Sequence, residues 1–275
     1  MTERGSDAAA EWQRARQVIG TAGRITALTG AGVSTASGIP DFRGPNGVWT
    51  ANPAAQRLSD IDSYVADPEV RREAWRARAE HPAWQAQPNA AHRAFVDLHA
   101  AGRLGTVLTQ NIDELHQRSG LPRSAVLELH GTLFSTICLG CGRTGSMRVA
   151  LKRVADGDDD PSCEHCGGIL KSNTISFGQN LDPDVLREGR RRTLDCDVFL
   201  AAGTSLTVHP AAGFAELAVR AGAHLVICNE EETPYDGIAA AVLREPLVEV
   251  VPALAAVPHE NAGEHPTWAD PSTWA

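Results

Sequence analysis

Apolar residues follow two rhythms along this chain. Short unbroken runs stop abruptly at glycine, hydroxyl or amide residues. Longer segments carry apolar positions three and four apart. The first rhythm predicts buried strands and the second amphipathic helices. Strands are predicted over residues 24–29, 104–109, 196–202 and 224–228, where the runs Ile-Thr-Ala-Leu-Thr, Leu-Gly-Thr-Val-Leu-Thr, Val-Phe-Leu-Ala-Ala and Leu-Val-Ile-Cys stand. Helices are predicted over 8–20, 90–101, 184–192 and 210–221. Strands alternating with helices imply an α/β fold with a mostly parallel sheet covered on both faces. Two segments break the alternation. Residues 44–88, rich in Trp, Arg, Ala and Pro, read as mainly helical, and 131–171 hold paired cysteines. The two are expected to pack together over the sheet edge.

The strand ends carry the candidate chemistry. They lead into Gly30-Ala31-Gly32, Gln110-Asn111-Ile112-Asp113, Gly203-Thr204-Ser205 and Asn229. In an open α/β sheet, ligands bind at the carboxyl edge of the strands. Glycine and asparagine are also ordinary turn residues, but four such ends on one edge favour a single crevice. The glycine loop departs from the dinucleotide fingerprint, because Thr35 stands where its third glycine would fall. Backbone N–H groups and the hydroxyls of Ser34 and Thr35 remain able to hold a pyrophosphate at a helix start. The run Ile39-Pro-Asp41-Phe42-Arg43-Gly44 suits a loop folded over a ligand, with Phe42 as an apolar lid and Arg43 for phosphate or carboxylate. His130 lies just outside an apolar run, at the junction with the cysteine segment. Both a structural histidine and a catalytic base are open there. His92, His99, His116 and His209 have ordinary helical or turn contexts.

Cys138, Cys141, Cys163 and Cys166 form two Cys-x-x-Cys knuckles with 21 residues between them. Four thiolates suit one tetrahedral Zn²⁺, and a site filled by protein on all four positions is structural. Glycine follows the second cysteine of each knuckle, where the chain must turn sharply. The acidic stretch 156–160 between the knuckles reads as a solvated loop. Reduced, metal-holding thiols fit a cytoplasmic location. A formal charge of −9 argues against nucleic acid, which needs a basic face. No run approaches the ~18–20 apolar residues of a membrane span.

Taken in order, Gly-Ala-Gly-Val-Ser-Thr-Ala-Ser-Gly-Ile-Pro-Asp-Phe-Arg-Gly, Thr-Gln-Asn-Ile-Asp, Leu-His-Gly, the four cysteines and Gly-Thr-Ser-Leu closely resemble the sirtuins, NAD-dependent protein lysine deacylases. The resemblance spans about residues 12–255. It implies a Rossmann-like NAD-binding domain (12–43, 89–130 and 172–255), and a small domain made of a helical insertion (44–88) and a zinc-binding module (131–171). Tails are expected at 1–11 and 256–275. It implies that NAD is consumed with an acylated-lysine protein or peptide, giving nicotinamide, O-acyl-ADP-ribose and free lysine. The roles it implies are residue by residue. His130 is the catalytic base. Gly30, Ala31, Gly32, Thr35, Asp41, Phe42 and Arg43 line NAD, Gln110 touches a ribose, and Asn111, Ile112 and Asp113 form the nicotinamide pocket, where Asn111 assists catalysis. Gly203, Thr204, Ser205 and Asn229 contact phosphate and ribose, and Phe177 and Gly178 pair with the substrate backbone. Gln179 stands where many relatives have Glu. Trp75 and Arg78 align with the Tyr and Arg by which some relatives grip succinyl or malonyl groups, so Arg78 is a candidate substrate contact. Deacetylation is the expected main activity. Removal of acidic acyl groups, ADP-ribosyl transfer to protein and a non-enzymatic zinc-ribbon sensor are the competing expectations.

Overall fold

A computed structural model describes residues 3–41, 44 and 47–260. Its larger sheet contains β1 (Ile25–Thr29), β2 (Leu104–Thr109) and β3 (Val126–Glu128). Three further strands, Val198–Ala202, His224–Cys228 and Ala241–Leu243, complete it. The smaller sheet is β4 (Gly131–Cys138), β5 (Thr144–Ser146) and β6 (Leu170–Thr174). In chain order the three later strands of the larger sheet are then β7, β8 and β9. That sheet is wholly parallel, in the order β3-β2-β1-β7-β8-β9. The order reverses between β1 and β7, the switch point at which doubly wound sheets bind ligands.

Side chains alternate across this sheet with period two. Ile25, Ala27, Val107, Leu200 and Val226 face one core, under the helices Glu3–Thr21, Ala90–Ala100 and Leu247–Ala255. Leu28, Leu108, Phe199, Leu225 and Ile227 face the other, under Pro183–Leu194 and Gly213–Arg220. β2 and β8 fall on their expected bounds. The edge strands β3 and β9 escaped the sequence reading because three residues are too short to show a rhythm.

Both termini are more structured than expected. The first helix begins at Glu3, well inside the segment read as a tail. Trp12 Nε1 donates to Glu245 Oε1 at 2.6 Å, and Glu11 Oε2 accepts the Val242 N–H at 2.8 Å, which pins the helix to the last strand. At the other end Glu260 N–H donates to Gly20 O, and Arg103 Nη1 donates to Val257 O. Residues 261–275 of the expected tail lie outside the described residues.

The two excursions meet, as expected, through the helix Pro68–Ala79 and the helix Met147–Ala155. Trp75 is 1% exposed and packs on Met147 and Ala150. The residue aligned with a substrate-gripping Tyr is thus set in a packed wall, beside the pocket it shares with Arg78. The acidic loop is also more than solvated. Arg71 Nε donates to both oxygens of Asp160, at 2.8 and 3.1 Å, in a half-buried pair. Arg72 pairs with Asp159, and Arg153 with Asp158. The paired charges, with one Arg71 N–H shared between the two Asp160 oxygens, tie the loop to both helices.

Candidate active site and metal centre

The switch point is built from glycines that let two turns touch. A Cβ on Gly30 would lie 2.5 Å from Gly203 O, and one on Gly32 2.8 Å from Gly203 Cα. Gly203 itself has φ +62°, and its Cβ would meet Val33 N at 2.5 Å. The glycines therefore serve loop-on-loop packing, locked by Gly30 N–H to Ala202 O and Gly32 N–H to Gly203 O. Beyond Gly30 the chain does not enter the expected helix. Two three-residue 3₁₀ turns, Ala31–Val33 and Thr35–Ser37, replace it. The Thr35 hydroxyl donates to Gly32 O, and Asp41 closes its own loop by accepting the Gly44 N–H at 2.9 Å. Phe42 and Arg43 lie outside the described residues.

Beside this turn sits a buried polar cluster. Asn111 Nδ2 donates to Gly30 O at 3.0 Å and to Ser34 Oγ at 3.1 Å. Ser34 Oγ donates in turn to Asp113 Oδ2 at 2.6 Å, and Asp113 Oδ1 accepts the Leu115 N–H. Ser34 is 1% exposed. Its hydroxyl thus holds a carboxylate in place and is not offered to a pyrophosphate. Burial raises the Asp113 pKa, against the pull of the Ser34 and Leu115 hydrogen bonds. Ile112 adds an apolar wall, packed with Leu115 and Leu133.

His130 follows β3. Its Nδ1 lies 3.0 Å from Gln110 O. A carbonyl can only accept, so Nδ1 carries the proton and Nε2 keeps a bare lone pair. Nε2 has no hydrogen-bond partner among the described residues. Burial lowers the His130 pKa, and the Gln110 carbonyl opposes that shift. The ring is thereby kept neutral, in the one tautomer that can take up a proton at Nε2.

The remaining candidates extend from this centre. Gln110 Nε2 donates to Thr204 Oγ1 at 2.9 Å, which joins the ends of β2 and β7. Ser205 bonds Thr207, and Asn229 Nδ2 donates to Glu231 O. Phe177 stands further out. Its backbone N–H donates to Ser59 O and its C=O accepts from Ile61, so both are already occupied. Any substrate pairing on that segment falls to Gly178. Gln179 Oε1 accepts the Ser176 N–H at 2.9 Å, a loop-closing role for the amide. Arg78 is separate again. It donates to Ser172 Oγ at 3.3 Å in a pocket shared with Tyr64, Trp75 and Lys171.

The four cysteine sulfurs lie within 4.8 Å of one another, with Cys138–Cys166 at 3.5 Å and Cys141–Cys163 at 3.8 Å. Zn–S bonds of about 2.3 Å put tetrahedral sulfurs about 3.8 Å apart. Gly142 and Gly167, which follow the second cysteine of each knuckle, have φ +71° and +72°. The repeated left-handed turn is the sharp bend expected there, and the donor set fits one structural zinc.

A protein-family model described as the Sir2 family matches residues 30–210. This chain belongs to the Sir2 family. NAD-dependent protein deacetylase 2 of Streptomyces coelicolor is 52% identical over 230 residues, covering 84% of this chain and 95% of the relative. NAD-dependent protein deacetylase 1 of Bradyrhizobium diazoefficiens is 43% identical over 248 residues, covering 90% and 96%. A solved structure described as Sir2–p53 peptide–NAD+ superimposes with a TM-score of 0.77 at 36% identity, covering 86% of this chain and 94% of that one.

Within this Sir2 chain, sequence reading missed the buried polar residues that hold the site from below, namely Thr29, Thr109 and His116. Their signal was two strands that both end in Leu-Thr. It missed Glu128 as well, on β3 two residues before His130. Burial, with help from the nearby Glu114 and Asp113 carboxyls, pushes its pKa up to about 7, while Gln117 opposes. The folded chain thus holds a proton on Glu128 that the unfolded chain, at its ordinary 4.5, gives up. Stability should fall as pH rises between those two values and level off above the upper one. Glu128→Gln keeps an acceptor for the 2.9 Å bond from Gln117 Nε2. It is expected to flatten that decline, so urea melts at pH 5 and pH 8 should differ less in the variant than in the native protein.

Proposed function

We propose that this protein is an NAD-dependent protein lysine deacetylase. It uses His130 as general base, Asn111 and Asp113 in the pocket for the nicotinamide end, and Gln110, Thr204, Ser205 and Asn229 toward the ribose and phosphate. The observation that carries the reading is the fixed tautomer of His130 beside the buried Asn111–Ser34–Asp113 cluster, at the sheet's switch point. NAD supplies a ribose carbon that accepts the acyl oxygen once nicotinamide has left. The chain's own part is positional. Loops packed around Gly30 and Gly203 keep water from the reacting atoms. His130 Nε2 takes the proton of a ribose hydroxyl, which then attacks the acyl carbon. Gly178 offers backbone pairing to the peptide. We infer the same division as the sequence predicts, with the parallel sheet holding NAD, the zinc module bracing the helical excursion, and a cytoplasmic location.

Acetyl is favoured over acidic acyl groups. The cavity beside Arg78, lined by Tyr64, Trp75, Lys171 and Ser172, has a volume of about 10 Å³. That is room for one water and no more. Incubation with NAD and acetyl-, succinyl- and malonyl-lysine peptides, followed by mass spectrometry, tests both points. O-acetyl-ADP-ribose with free lysine is expected, and acidic products at no more than about a hundredth of that yield, a discrimination of ~3 kcal/mol. ADP-ribose attached to protein with no O-acetyl-ADP-ribose would replace the deacetylase reading.

A further inference from the structure

A peptide group has two polar ends, and the one between Gln110 and Asn111 uses both. Its carbonyl accepts from His130 Nδ1 at 3.0 Å, and its N–H donates to Thr109 Oγ1 at 3.1 Å. Thr109 Oγ1 also accepts the Thr29 hydroxyl at 2.9 Å. Thr29 Oγ1 lies 2.9 Å from Nε2 of His116. Thr29 and Thr109 face each other across β1 and β2. All three residues are buried, none more than 3% exposed.

Every bond in this chain has a direction. Thr29 has one hydroxyl proton and gives it to Thr109, so toward His116 it only accepts. His116 must then carry its proton on Nε2, and its Nδ1, which has no partner among the described residues, is the bare position. Burial holds the His116 pKa well below the ordinary value, with neighbouring His92 adding to the shift, so the ring stays a neutral donor.

We propose that His116, Thr29 and Thr109 are positioning residues for the acyl-transfer step, which set the plane of the 110–111 peptide and through its carbonyl the tautomer of His130. The proposal rests on the reading of His130 as base. Were the peptide to turn, the carbonyl would leave Nδ1. The His130 proton could then move to Nε2, where the ring can no longer accept one. Hydrogen bonds at both ends of one peptide also strengthen each other. The Asn111 side chain is held separately, by Gly30 O and Ser34 Oγ. The two threonines therefore serve the base more than the nicotinamide pocket.

The test compares Thr109→Val, Thr109→Ser, Thr29→Val and the double valine variant, with O-acetyl-ADP-ribose formation measured per folded molecule, folding being read by circular dichroism. Loss of one buried hydrogen bond at the peptide should cut kcat about ten-fold in Thr109→Val, with KM for NAD changed less than about two-fold. Thr109→Ser, which keeps the oxygen, should restore most of kcat. Thr29→Val should cost about three-fold, and the double variant should be no slower than Thr109→Val, because both act along one chain. The proposal is overturned by a native kcat in Thr109→Val, by failure of serine to rescue, by a change confined to KM, or by multiplicative loss in the double variant. His130→Ala separates the two readings. If it is inactive while Thr109→Val is native, only the relay falls, whereas native turnover in His130→Ala removes both.

Discussion

His130→Ala is expected to lower O-acetyl-ADP-ribose formation by about 10²–10⁴-fold, the usual contribution of a positioned general base. NAD and acetyl-peptide binding, measured by calorimetry, should survive, because the ring has no role in holding Asn111 or Gly203. The pH profile follows from the direction of the His130 shift. A base must be neutral, and burial lowers this histidine from its ordinary 6.5. Activity should therefore persist below pH 6.5 and fall only as pH drops through the lowered value. A native rate in the alanine variant would take His130 out of the reaction. An acid limb above pH 6.5 would mean that a different group titrates.

Loss of the zinc centre should have the second large effect. Structural zinc in small cysteine-rich modules contributes about 10–16 kcal/mol of apparent binding energy at neutral pH. In this chain Cys138 and Cys163 are buried while Cys141 and Cys166 are exposed. A zinc held there would tie the end of β4 at Cys138 to the second knuckle at Cys163 and Cys166, just before β6. Cys163→Ser is expected to abolish stoichiometric zinc, read by elemental analysis as one ion per chain falling to near none. It should unfold the small sheet, lower the melting temperature and end activity, although no cysteine touches the reaction. Cys196→Ser should keep its zinc. A zinc-free Cys163→Ser protein with native melting and turnover would show that the ion braces nothing the enzyme needs.

The large sheet was legible because its strands are buried on both faces and read as unbroken apolar runs, as at 104–109 and 224–228. The site was legible at strand ends, where glycine, amide and hydroxyl residues interrupt those runs. Partner choice was not. Ser34 reads as a phosphate hydroxyl until Asp113 is seen 2.6 Å away. Trp75 gives no sign in the sequence that it packs on Met147. His116 reads as ordinary because its importance lies in a partner 87 positions earlier. Local pattern reports which residues are polar or apolar. It does not report which of them meet, since pairing across a sheet is set by register between distant segments.

Both excursions leave the large sheet from its carboxyl edge and rejoin the chain beside that same edge, at Ala90 and at the end of β6. Material added or altered there has no path into the strand ladder. Substitutions in the loops and in the two excursions are therefore expected to alter recognition while leaving the histidine and the strand-end peptide in place. A shared reaction with divergent clients is what an architecture anchored at one end and open at the other makes easy.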